Sequence, residues 1–97
     1  MLLLVAYDVN TETKDGEYRL RQVAKYCESY GQRVQNSVFE CVLDYSQYAY
    51  FKHEIAKLID LGSDNIRIYN LGNKYKNKIE SIGAKKLIFD QKDILVI

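Results

Sequence analysis

Leu2, Leu3, Leu4, Val5 and Ala6, followed by Tyr7, Asp8 and Val9, form a short continuous apolar run that ends at Asn10-Thr11. A run this short and this rich in strand formers predicts a fully buried central strand. After Asp15-Gly16, the residues Leu20, Val23, Ala24, Cys27 and Tyr30 recur at helical spacing, while Arg19, Arg21, Lys25 and Glu28 take the other side. This predicts an amphipathic helix, with Gly31 as its stop. Residues 33–35 and 38–43 read as a short strand and a longer one, reversed or bulged at Asn36-Ser37. Tyr48, Phe51, Ile55, Leu58 and Ile59 then repeat the helical period, with Gly62 as the stop, and Asp64-Asn65 introduces a last strand over 66–71 that ends at Gly72-Asn73.

Strand, helix, two strands, helix, strand is the split arrangement of a ferredoxin-like α+β sandwich, βαββαβ, in which both helices cover one face of an antiparallel sheet. The predicted domain occupies residues 1–74. The other sheet face stays bare, and so much strand surface predicts a second copy of the chain, a homodimer. Residues 75–82 read as a further strand. Apolar clusters at 87–89 and 94–97 lie too far along the chain for the first core to need, so the tail over 75–97 is expected to dock on the partner protomer.

Composition narrows the picture without changing it. The chain has 97 residues, 47% of them hydrophobic and 28% charged, which is globular composition and leaves room for one core. No apolar run is long enough to span a bilayer and no basic segment precedes the first strand, which predicts a cytoplasmic protein without membrane contact. Cys27 and Cys41 do not make a disulfide framework or a zinc site and are expected as buried, reduced thiols. The net charge of +1 lacks the basic excess of many nucleic-acid binders. Its distribution is uneven, since Arg67, Lys74, Lys76, Lys78, Lys85 and Lys86 stand against Glu80 alone.

Candidate chemistry is sparse. There is no phosphate-binding glycine loop and no triad spacing, and His53, between Lys52 and Glu54, reads as a solvated helix position. Asp8 is the exception. A carboxylate at the end of an apolar strand needs either hydrogen bonds from its own loop or a cation. If a two-fold axis runs near the strand end, two Asp8 carboxylates approach one another, and such a pair shares a proton or holds a metal. Magnesium suits an all-oxygen site with waters and substrate phosphate, which is the chemistry of a phosphodiesterase. Arg33, Ser37 and Phe39 form a second set, as phosphate donors and a stacking ring, though taken singly each reads first as ion pair, turn hydroxyl and core aromatic. Arg19 and Arg21 reach for a phosphate backbone, or pair with Glu17 or Asp15.

Val5-Ala6-Tyr7-Asp8-Val9, Arg19-Leu20-Arg21, Gly31-Gln32-Arg33-Val34-Gln35-Asn36-Ser37-Val38-Phe39-Glu40-Cys41 and Ile66-Arg67-Ile68-Tyr69 together resemble the CRISPR-associated protein 2 family over nearly the whole chain. The run over 75–85 is similar to the branch found in type I-C systems. The resemblance implies a homodimer in which the last strand of each protomer joins the sheet of the other. It implies a partner, the CRISPR integrase (CRISPR-associated protein 1), in a complex that captures DNA and inserts it as a new spacer. It also implies a metal-dependent nuclease on double-stranded DNA or RNA, with Mg2+ on Asp8 at the dimer axis. By position, Tyr7, Asp8, Ser37 and Phe39 fall in the catalytic region, and Arg19, Arg21 and Arg33 on the nucleic acid. Two readings follow: an endonuclease that depends on Asp8, or a non-catalytic DNA-binding scaffold in which the basic residues matter and Asp8 does not.

Overall fold

Leu2 to Asp8 extend as strand β1 (Leu2–Asp8), and the computed structural model of the protein describes residues 1–84 around it. Helix α1 (Lys14–Glu28) follows, then β2 (Gly31–Gln35), β3 (Val38–Val42), α2 (Tyr45–Ala56) and β4 (Asn65–Asn70). The sheet order is β2-β3-β1-β4 with every pairing antiparallel, so β3 lies between β1 and β2 as the predicted ferredoxin-like order requires.

The first strand is central, as expected, but it is not buried on both sides in the single chain. Leu3, Val5 and Tyr7 face the helices and are closed off from solvent, whereas Leu4 and Ala6 are only half-buried and Asp8 is exposed. Strand alternation explains the split, because successive side chains point to opposite faces. The helix-side residues join Val23 and Cys27 of α1, Phe39 and Cys41 of β3, and Phe51 and Ile55 of α2 in one core.

Local sequence fixes the helix starts. The Thr13 side chain accepts from the Gly16 amide at 3.0 Å, with Asp15 and Glu17 in the first turn to favour the positive helix end. Asp44 and Gln47 form a reciprocal capping box, Gln47 N to Asp44 Oδ1 at 2.7 Å and Asp44 N to Gln47 Oε1 at 2.9 Å. This box starts α2 ahead of Tyr48, where the apolar period alone placed it, and α2 ends well before Gly62.

Gly31 is not a helix stop but the first residue of β2. A side chain there would run into the Glu40 carbonyl of the adjacent strand, so the residue is fixed by the close approach of two backbones. After β4, Leu71 and Gly72 continue beside Leu2 through two backbone hydrogen bonds of 2.9 Å each. Over residues 75–82 the described chain carries one 3-10 turn, Lys76–Lys78, in place of the predicted strand. The turn forms within a single chain, where β2 and β4 are the sheet edges and no described segment pairs with 75–82. The apolar clusters at 87–89 and 94–97, with Lys85 and Lys86, lie outside the described residues. No helix among the described residues is long and apolar enough to cross a membrane.

Gly16 fixes the entry to α1. A Cβ built on it would lie 1.8 Å from the Asn10 carbonyl oxygen, which is backbone and has little room to move. Gly16→Ala is therefore expected to lower the unfolding free energy by about 1–3 kcal/mol, the usual cost of forcing extra volume into a packed contact, as measured by urea denaturation.

Candidate functional site

β1 carries Asp8 to the end of the sheet, where it pairs in register with Asn65 of β4. By alternation it shares the open face with Leu4 and Ala6. The carboxylate is exposed and makes no hydrogen bond or ion pair with another described residue. The expectation of a desolvated carboxylate in need of a partner is thus corrected: Tyr7 and Val9 on either side turn into the core, and Asp8 between them points out to the open face. Among the described residues no three metal-ligating side chains come together, so one protomer offers a single hard oxygen donor with its lone pairs uncommitted. Such a donor fits Mg2+, which retains several waters and takes one or two carboxylates.

Tyr7 occupies the opposite face. Its side chain is 5% exposed, stacks on Phe39 with ring centroids 6.0 Å apart, and donates from the hydroxyl to the Asn36 carbonyl at 3.4 Å. Burial pushes its hydroxyl up to about 12, so it remains a protonated donor at neutral pH. The Tyr7 amide donates to the Ser37 carbonyl at 3.1 Å, which ties the β2–β3 turn to the strand beside Asp8. Tyr7, Asp8 and Ser37 therefore share one end of the sheet. Phe39 is wholly buried on the side of β3 that faces the helices, so the core-aromatic reading holds for it.

The three candidate arginines have separate environments. Arg21 is exposed on α1. Arg33 lies over the Phe39 ring at 5.1 Å and gives one guanidinium nitrogen to Glu28 at 2.8 Å, so the ion-pair reading holds for it. Arg19 pairs with neither Glu17 nor Asp15. Its Nε donates to Asp64 Oδ2 at 2.8 Å and its Nη2 to Asp64 Oδ1 at 3.3 Å.

Asp64, which sequence reasoning left as a turn residue, is the busiest acceptor of this region. Besides Arg19 it takes the Asn10 amide at 3.0 Å and the Asp60 amide at 2.8 Å, and its side chain has no exposed surface. The Arg19 guanidinium and these two amides outweigh desolvation and hold its carboxyl down to about 2. Nothing local in Ser63-Asp64-Asn65 announces this, since the partner lies 45 residues away.

Elsewhere the expectations hold. His53 is exposed on α2. Cys27 and Cys41 are free and buried, and burial pushes their thiols up to about 12 and about 11. Neither is a thiolate nucleophile at neutral pH. Of the basic stretch, Lys74 and Lys76 are exposed, and Lys78 donates to the Leu71 carbonyl at 2.9 Å.

A family model described as CRISPR associated protein Cas2 matches residues 1–79. The chain is 55% identical over 96 residues to the CRISPR-associated endonuclease Cas2 of Halalkalibacterium halodurans, covering 99% of each chain. It is 51% identical over 85 residues to the CRISPR-associated endoribonuclease Cas2 of Nitratidesulfovibrio vulgaris, covering 88% of this chain and 83% of that one. Among solved structures, Streptococcus pyogenes Cas2 superposes with a TM-score of 0.75 at 51% identity, covering 86% of this chain and all of the other. A hypothetical protein from Thermus thermophilus superposes with a TM-score of 0.71 at 36% identity, covering 89% and 94%.

The Asp64 geometry carries an expected outcome in acid. Its folded value lies below the ordinary carboxylate value of 3.8, so its contribution is complete above about pH 4 and is lost as pH falls toward about 2. Asp64→Ala strands two amides and a guanidinium, and is expected to cost about 3–5 kcal/mol at neutral pH. Urea titrations from pH 7 to pH 2 check both: the gap between wild type and variant narrows through the acid range.

Proposed function

The chain belongs to the CRISPR associated protein Cas2 family, and on that premise we propose that it is a Mg2+-dependent endonuclease, a phosphodiesterase acting on double-stranded DNA or RNA as a homodimer. Its setting is CRISPR adaptation, in which it binds DNA together with the integrase, CRISPR-associated protein 1, for spacer acquisition. The run over 75–85 supports placing it with the type I-C branch, and the tail over 75–97 is the segment available for exchange with the partner protomer.

The observation that carries the reading is the placement of Asp8: a carboxylate without partners among the described residues, exposed at the end of the central strand, on the face that the helices leave bare. A two-fold axis near that end brings it toward its mate. Asp8 of each protomer holds the ion by oxygen, and when bound the ion withdraws charge from a phosphoryl oxygen and orients water. The chain's own part is positional. The register with Asn65 fixes the place of Asp8 along the sheet edge, and the Tyr7 amide holds the Ser37 turn alongside, which makes Ser37 the candidate hydroxyl donor to phosphate. Arg21, Lys74 and Lys76 supply phosphate contacts that are sensitive to salt and read little sequence.

The exposure of Arg21 and of the lysines also supports a second reading, a DNA-binding scaffold for the integrase without nuclease activity. Cleavage of double-stranded DNA and single-stranded RNA, with magnesium or chelator, separates the two. For the nuclease, Asp8→Asn is expected to reduce the rate by about 100-fold or more while leaving the dimer folded. Cleavage by neither protein favours the scaffold, and equal cleavage by both takes Asp8 out of the chemistry.

A further inference from the structure

The ladder between β1 and β4 runs out at Asp8 and Asn65, the last residues held in register. Final pairs of a ladder open most readily, and a carboxylate on such a pair is poorly placed to hold an ion that demands near-ideal oxygen geometry. In this chain the contact does not stop there. One residue before Asn65, the Asp64 side chain takes over from the backbone: its Oδ1 accepts the Asn10 amide at 3.0 Å, two residues beyond Asp8. Asp8 therefore lies between a register pair and a side-chain bond, and Val9, between Asp8 and Asn10, is turned into the core.

Asp64 is itself held from two further directions. Arg19 Nε donates to its Oδ2 at 2.8 Å, and the Asp60 amide reaches the same oxygen at 2.8 Å. Asn10 is braced as well: a side chain at Gly16 would run into its carbonyl, and its own Oδ1 accepts the Glu12 amide at 3.0 Å. Net stability does not account for this arrangement, since a covered ion pair contributes little that apolar packing of the same volume would not. Fixed position does. A covered carboxylate gripped by Arg19 and two amides is held in one orientation, and it passes that constraint to the backbone at Asn10.

We propose that Asp64 is a positioning residue for the ion site at Asp8: through the Asn10 amide it keeps the end of β1 from opening, and so holds the Asp8 carboxylate where the ion binds. This rests on the reading of Asp8 as the metal ligand and deepens it. Asp64, with no exposed side-chain surface, has nothing to offer ion or nucleic acid directly. Arg19 belongs to the same unit, because the guanidinium fixes Asp64.

The test measures metal binding apart from cleavage. Mn2+, which suits the same carboxylate and water ligands as Mg2+, is titrated into the protein and the free ion is followed by its electron paramagnetic resonance signal. Wild type, Asp8→Asn, Asp64→Asn and Phe51→Leu are compared at equal concentration of folded protein, checked by circular dichroism. Phe51→Leu is the control for lost stability, because Phe51 packs on Tyr26 and Tyr30, at the opposite end of α1 from Gly16. Asp64→Asn keeps the shape and one acceptor oxygen but loses the charge that Arg19 grips, and its Mn2+ affinity is expected to fall about 10-fold or more. Phe51→Leu is expected to bind as wild type does.

Wild-type affinity in folded Asp64→Asn overturns the positioning role and leaves Asp8 as the ligand. An equal loss in Phe51→Leu overturns it too, because the effect is then one of stability alone. No binding by wild type, or equal binding by wild type and Asp8→Asn, overturns the metal reading of Asp8 and the positioning role with it. If Asp64→Asn loses the circular-dichroism signal of the fold, hydrogen exchange at the Asn10 amide takes its place. An ion that needs the closed strand end favours it in return, so Mg2+ is expected to slow this exchange by about 5-fold or more in wild type and to leave it unchanged in Asp8→Asn. Unchanged or faster exchange in wild type overturns the role.

Discussion

The ion pair between Arg19 and Asp64 is the constraint on which the rest of the sheet end depends. Asp64 is wholly covered, and a covered carboxylate is tolerable only where donors surround it. Those donors come from three places in the chain: Asn10 just beyond β1, Arg19 in the second turn of α1, and Asp60 in the loop after α2. One side chain therefore joins both crossover helices to the central strand. Asp8 stands between the points so fixed, two residues before Asn10 and in register with the neighbour of Asp64. Gly16 completes the clamp, since only a residue without a side chain lets the first turn of α1 lie against the Asn10 carbonyl. Set against the ~5–15 kcal/mol that holds a typical domain together, an ion pair with this many dependants is a large fraction of the total.

The sheet has two unlike faces, and its division of labour follows from strand alternation. The helix side is filled by Leu3, Val5, Phe39 and Cys41, and its polar business is confined to the rim, where Arg33 reaches Glu28. The open side carries Asp8 at one end, and apolar residues with Glu40 and Arg67 among them across the middle.

Much of this was legible in the sequence, for identifiable reasons. The element order came from the alternation of short apolar runs with helical periods, and the strand order from the topology that such an order allows. Boundaries were less legible where a polar device set them. Asp44 and Gln47 have the spacing of a capping box, and a reading that gave them that weight would have started α2 correctly; the apolar period alone begins at Tyr48. Gly31 shows the opposite difficulty, because a glycine after a helical run signals a stop while its actual role is a close approach to β3. Asp8, Ser37 and Tyr7 were named together through the family resemblance, and the structure sets them at one sheet end, where the β2–β3 turn lies beside the end of β1. Phe39 met its core-aromatic reading and Arg19 met neither of its two pairing candidates, and both environments are set by distant parts of the chain: the face β3 turns toward the helices, and an aspartate 45 residues away. No local pattern encodes either.

The two buried cysteines have a consequence for anyone who handles the protein. Cys27 on α1 and Cys41 on β3 meet across the helix–sheet junction with no exposed surface, and burial holds both in the thiol form well above neutral pH. An alkylating reagent at mildly alkaline pH finds no thiolate until α1 lifts from the sheet, whereupon both revert to ordinary, reactive thiols. The molecule thus carries its own clock. The rate at which it consumes such a reagent counts the openings of its core, with no label introduced and no residue changed.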